Sequence, residues 1–105
     1  MSADRLKQLQ KFYEEDPLDP FNLYALALEY LKVDLALSRK HFQLLLANHP
    51  AYLPTYYHAA KLFHDTGDRE GAIAVFENGI ALARKNNDVK TLRELRSAYD
   101  EMMFE

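Results

Sequence analysis

Apolar residues recur along this chain at three- and four-residue intervals, the spacing of one face of an α-helix. The clearest stretch is Leu53–Ala83. Tyr56, Ala59, Ala60 and Phe63 form one stripe there, and Ala72, Phe76 and Gly79 form a second, on either side of a Thr66-Gly67-Asp68 break. The pattern predicts a helix pair over 52–66 and 69–86, with small residues where the two helices approach. Gly67 suits the left-handed residue that ends a helix cheaply. Asp68 suits the N-cap of the next helix, because its short carboxylate can accept from the first free backbone N–H groups.

The same reading divides the rest of the chain into four more helices. Residues 3–15 carry the stripe Leu6, Leu9, Phe12 and Tyr13. Glu14, Glu15 and Asp16 follow at the helix end, where the dipole disfavours anions; they read as a solvated end or as a docking site for a basic partner. Asp19-Pro20 is a cap followed by a first-turn proline. The helix it opens runs to about Val33 and is apolar almost all round, so it must be buried on several faces or exposed to a partner. Asp34 caps a helix over 35–48 with Leu37, Phe42, Leu45 and Leu46 inward, and His49-Pro50 ends it. After Asn86-Asn87-Asp88 a last helix, 89–103, carries Leu92, Leu95, Tyr99 and Met102 or Met103. Strand-like alternation is missing, so the fold expected is all-α with short loops.

The helices repeat. Leu23, Leu26, Ala27 and Tyr30 match Tyr56, Ala59, Ala60 and Phe63 at a distance of 33 residues. Ser38, Phe42 and Leu45 match Ala72, Phe76 and Gly79 at 34, because the first turn lacks the glycine present at Gly67. The last helix fits in part, with Leu92, Leu95 and Tyr99, but Arg96 stands where a small residue belongs. Pro17 and Pro50 close successive units. A helix pair of this size cannot bury its apolar faces alone, so neighbouring pairs must stack.

This period, with its aromatic and small positions, Gly67-Asp68 in a turn and Pro50 after a second helix, resembles the tetratricopeptide repeat (TPR) family. No tryptophan fills the first large position, Leu45 replaces a small residue, and Arg84 stands where a proline would close the second repeat. The resemblance implies an α-solenoid of antiparallel helix pairs, about six helices in a right-handed superhelical stack. It implies one domain over 1–105: an N-terminal capping helix in 1–18, repeats at 19–50 and 53–86, and a C-terminal capping helix in 88–105.

Composition narrows the function. The chain has 105 residues and a formal net charge of -3. Neither half is a basic arm, so nucleic acid is not an expected partner. There is no cysteine, which excludes disulfides, thiol catalysis and Cys-ligated metal. No apolar run is long enough to cross a bilayer, and the first residues lack the apolar core of a signal peptide. A soluble, cytoplasmic protein is expected. The histidines lack the i, i+4 spacing of helical zinc sites, and no phosphate loop or nucleophile motif is present. Neither a metal, nor a cofactor, nor an enzymatic activity is expected.

In TPR proteins the first helices of the repeats line a groove that binds a peptide or helix of a partner protein. Carried onto this chain, the groove residues are Phe21, Tyr24, Leu28 and Leu31 of the first repeat and Tyr57, His58, Lys61 and His64 of the second. Ala25, Lys32 and Asp65 lie beside them, and the last helix adds Lys90, Arg93, Glu94 and Ser97. Tyr24, Leu28 and Tyr57 are the expected anchors; His58, Lys61 and His64 are expected to orient the ligand. Plain packing of Tyr24 and Leu28 against the N-terminal helix is the competing reading. One TPR subclass grips a terminal carboxylate with Lys and Asn, and here Tyr24 and Leu28 replace those residues. The expected surface is apolar and aromatic on one side and grades to mixed charge on the other, where Lys61 and Lys90 could still steer an acidic ligand. The alternative function is a structural homodimer, joined through the apolar first-repeat helix or the Met102–Phe104 end.

Overall fold

A computed structural model describes residues 2–105, and those residues form six α-helices: α1 Ser2–Glu15, α2 Pro20–Tyr30, α3 Leu35–Asn48, α4 Thr55–Asp65, α5 Arg69–Lys85 and α6 Val89–Met103. Met1, the first residue of the expected domain, lies outside them. The chain divides into two compact units, one reaching to Tyr52 and the other running from Leu53 to Glu105.

Four aspartates start four of the helices. Asp19, Asp34, Asp68 and Asp88 accept from the backbone N–H of Phe21, Leu37, Gly71 and Thr91. Each thereby satisfies a donor that the helix itself cannot. Two turns of the second unit close in the same way. Gly67 donates to the His64 carbonyl and Asp68 to the Phe63 carbonyl; Asn87 donates to Arg84 and Asp88 to Ala83. The left-handed residue that this motif requires is Gly67 (φ 89°) in one turn and Asn87 (φ 56°) in the other,. The turn after α2 is one residue tighter, since Asp34 bonds the Tyr30 carbonyl directly at 2.8 Å. This is the physical origin of the two repeat spacings.

Two helix boundaries depart from expectation by more than one residue. α2 ends at Tyr30, not near Val33, because Leu31, Lys32 and Val33 take tighter bonds to residues three back before Asp34 turns extended,. α4 begins at Thr55, not near 52. Leu53 precedes a proline and is disfavoured in the helical region, so Pro54 takes the cap position without a side-chain cap bond.

In the first unit, α2 packs against α1 and α3. Leu9 of α1 joins Ala25, Leu26 and Tyr30 of α2 in a buried cluster, with Leu6, Tyr13 and Leu37 against it. Phe12 departs from the expected stripe and is 43% exposed. Ser38, fully buried, donates to the Ala27 carbonyl at 2.7 Å, so the small position of α3 serves both close approach and a hydrogen bond. His41 belongs to this core, with its ring 5.0 Å from that of Tyr30 and 6.4 Å from that of Tyr13. Glu29, also buried, is held by Lys32 at 3.3 Å and Arg5 at 3.6 Å.

In the second unit, α5 packs against both α4 and α6. All four residues of the α4 stripe are buried, as are Ala72, Phe76 and Gly79 of α5. Gly79 is the point of closest approach. A Cβ placed there would lie 2.7 Å from Tyr56 Cβ and 3.2 Å from Leu95 Cδ1. In α6, Leu95 and Met102 are buried, whereas Met103 is exposed. Arg96, at the position expected of a small residue, is exposed. No helix among the described residues is long and apolar enough to cross a membrane.

Candidate partner-binding face

The residues expected to form a groove fall in both units. In the first unit, Phe21, Tyr24, Leu28 and Leu31 lie along one face of α2 and its closing turn. Phe21 is 57% exposed, while the other three are partly buried. The Tyr24 ring meets the Tyr52 ring edge-on, with centroids 5.7 Å apart. Burial, and then the neighbouring Tyr52, push the Tyr24 hydroxyl above the usual tyrosine range. Tyr24 is therefore seated against the segment that follows α3. Ala25 lies in the core cluster with Leu9.

In the second unit, α4 turns Tyr57, His58, Lys61 and His64 to the side away from its buried stripe. Spacings of three and four put Tyr57, Lys61 and His64 on one line. They form one wall of a hollow of about 160 Å³, with Asp65 beyond them. A cavity of roughly 150 Å³ holds a benzene ring, so there is room for one large side chain. The floor is apolar: Phe76 and Met102, both buried, with Ala98. The far wall is Glu101 of α6 and Glu105 beyond its end. A neighbouring shallower hollow takes in Tyr57 and His58 on one side and Arg93, Glu94 and Ser97 on the other.

Electrostatics divide the α4 residues. His64 Nε2 lies 2.6 Å from Glu105 Oε1, and Nδ1 lies 3.6 Å from Asp65 Oδ1, so a protonated His64 is flanked by two carboxylates. The Lys61 ammonium stands 6.0 Å from the centre of the Tyr57 ring, at the edge of cation–π range,. The His58 ring meets Tyr57 edge-on at 5.4 Å. Burial first, and then the Lys61 charge, hold the His58 imidazole below its usual pKa,. Arg69 of α5 reaches the α6 terminus, donating to the Met102 carbonyl at 3.4 Å. A cation there complements the helix dipole and steadies the end from which Glu101 and Glu105 project. Among the described residues, no group of three or more His, Cys, Asp or Glu side chains is placed to hold a metal.

Arg93, Glu94 and Ser97 line this face with the α4 residues, whereas Lys90 is absent from the lining of either hollow. Glu101, Glu105 and the floor were not among the expected groove residues. Glu101 continues the Glu94–Ser97 line at helical spacing and was legible on that ground. Glu105 lies past the last helix, where periodicity gives no guide. The charge is mixed, with carboxylates in excess. Asp65, Glu94, Glu101 and Glu105 outnumber Lys61 and Arg93 around the two hollows, so the face is acidic.

No model of a protein family and no curated relative matches the chain. Solved structures do. The crystal structure of a tetratricopeptide repeat domain protein from Salinibacter ruber is similar with a TM-score of 0.76 and 37% identity, covering 81% of this chain and 96% of that one. A solution NMR structure of a tetratricopeptide repeat domain protein from the same organism gives 0.78 and 39%, covering 83% and 89%. The crystal structure of MamA matches at 0.71 and 20% identity, covering 98% of this chain and 59% of that one. At that identity the likeness to MamA is one of fold alone.

Proposed function

The chain belongs to the tetratricopeptide repeat family, and from that premise we propose that it is a protein-interaction module whose α4–α6 face seats a peptide or helix of a partner protein. The observation that carries this reading is the open hollow with an apolar floor beside Tyr57. The recess is open to solvent, with Tyr57 and Ala98 partly exposed beside the buried Phe76 and Met102, and this gives an apolar anchor a place to bind,. In this reading Tyr57 is the anchor contact, His58 and His64 fix the ligand's register, and Lys61, exposed at the rim, bears on which charges enter. Phe21, Tyr24, Leu28 and Leu31 of α2 offer a second, more apolar set of contacts. We assign 1–105 to one domain, with repeats at 19–50 and 53–86 between capping helices in 1–18 and 88–105. The absence of cysteine suits a reducing, cytoplasmic location.

Selection of displayed random peptides on the immobilised chain tests the reading, with Tyr57→Ala as the control. Peptides retained by the wild type should bind Tyr57→Ala at least several-fold more weakly while its melting stays unchanged. Equal binding by a folded Tyr57→Ala would sink the assignment. A second reading, self-association, draws on Met103 and Phe104, which are 43% and 90% exposed. Light scattering decides it: a mass that stays monomeric as concentration rises removes the homodimer.

A further inference from the structure

We infer that the partner presents a basic side chain, a lysine or arginine within an amphipathic segment, to the hollow between α4 and α6. This inference rests on the reading of that face as the docking site, and adds the charge of what docks there.

Three observations converge on it. The first is the sign of the lining. Asp65, Glu101 and Glu105 stand around the hollow against a single fixed cation, Lys61. A partner charge of the same sign as the lining would meet repulsion on entry, and an opposite one is drawn in. The second is the floor. Tyr57 and Ala98, both partly exposed, lie beside the buried Phe76 and Met102 and give apolar contact to the methylene stem of a long basic side chain while its head reaches toward carboxylates at the rim,. The third is Lys61 itself. Its ammonium stands 6.0 Å from the centre of the Tyr57 ring, and both residues line the hollow, so a cation of this chain already stands beside that ring. Lys61 is exposed and free to swing outward. It acts as a tethered place-holder that an incoming basic side chain displaces. The His64 imidazole lies between Glu105 and Asp65 at the same hollow.

The test uses the full chain and random peptides about a dozen residues long, displayed and selected on it. Selected peptides are then synthesised and titrated by fluorescence anisotropy against the wild type and three variants. The retained sequences are expected to be enriched in Lys or Arg next to Leu, Phe or Tyr. Against Glu101→Gln/Glu105→Gln, binding should weaken by about three- to ten-fold, the scale of two partly exposed ion pairs. Against Lys61→Gln it should tighten by about two-fold or more. Enrichment in Asp or Glu overturns the inference. So does binding that is lost in Tyr57→Ala but unchanged in Glu101→Gln/Glu105→Gln; in both cases the docking face itself stands. If no peptide is retained, or every variant including Tyr57→Ala binds as the wild type does, the docking face fails and the inference falls with it. Lys61, Glu101 and Glu105 are all exposed, so circular dichroism should show wild-type melting for these variants.

Discussion

Replacing Gly79 with alanine adds one methyl group where α5 meets both α4 and α6. On an open helix surface that change is favourable by about 1 kcal/mol, because glycine costs more backbone entropy than alanine. Here the new Cβ would lie 2.7 Å from Tyr56 Cβ, 3.0 Å from Tyr56 Cγ and 3.2 Å from Leu95 Cδ1. Carbon atoms pack at about 3.5–4.0 Å. A Cβ is fixed to its own backbone, so no rotamer of Tyr56 relieves the closest contact, and α4 must move away by close to 1 Å. Overpacking of this kind costs about 1–3 kcal/mol. Against the propensity gain, the net expectation is a loss of about 1 kcal/mol. Ala81→Gly, at an exposed position of the same helix, calibrates the propensity and should itself cost about 1 kcal/mol. Urea unfolding followed at 222 nm reads both variants, provided the slope is unchanged. If Gly79→Ala instead gains what Ala81→Gly loses, Gly79 is not at a close contact and the account of the α4–α5–α6 packing is wrong.

Other substitutions test other parts of the account. Gly67 has φ 89° and nothing within 4 Å of an added Cβ, so Gly67→Ala should cost only the left-handed backbone penalty, about 1–2 kcal/mol; an unchanged melting temperature would contradict it. The Thr55 hydroxyl is fully buried with no hydrogen-bond partner. Thr55→Val keeps the shape and removes a desolvated polar group, so it should stabilise by about 1 kcal/mol, and clear destabilisation would show that the hydroxyl is satisfied. The lowered pKa of His58 means that below about pH 6.5 the unfolded chain takes up this proton more readily than the folded one. The His58 contribution to stability is thus complete at neutral pH and lost on acidification. The melting temperature of the wild type relative to His58→Gln should therefore fall between pH 7.5 and 5.5, whereas a constant difference would refute the burial of the neutral ring.

The fold was legible because its signals are local. Asp19, Asp34 and Asp68 announce helix starts, Gly67 and Pro50 announce ends, and two stripes separated by a fixed period announce the repeat. The boundaries that shifted were set by backbone terms that periodicity does not see: Pro54 acting on Leu53, and the tight turn that carries the chain from Tyr30 to Asp34. Phe12 followed the stripe on paper yet lies exposed, since a helical stripe is wider than the surface that one neighbouring helix covers. The α4 half of the candidate face was legible for the opposite reason: Tyr57, His58, Lys61 and His64 are what remains of α4 once its core stripe is assigned. Of its acidic half, Asp65 and Glu94 were expected and Glu101 follows from helical spacing, but the facing of α6 toward Lys61 and the place of Glu105 were not legible. Whether Glu101 and Glu105 face Lys61 depends on how α6 packs against α4 and where α6 stops, and Arg69 bonding to the Met102 carbonyl helps to fix that end. These are tertiary facts, separated by more than 30 residues of chain.

The central claim is that binding takes place on the α4–α6 face. It is tested most directly by recording amide ¹H–¹⁵N correlation spectra of the full chain while titrating a selected peptide. The account predicts that the shifting amides concentrate at Tyr57, His58, Lys61 and His64 of α4 and at Ser97, Ala98 and Glu101 of α6. The amides on the exposed side of α5, around Glu77 and Ala81, should stay in place. Shifts confined to α5 or to α1, with the α4 and α6 amides unmoved at saturation, would contradict it.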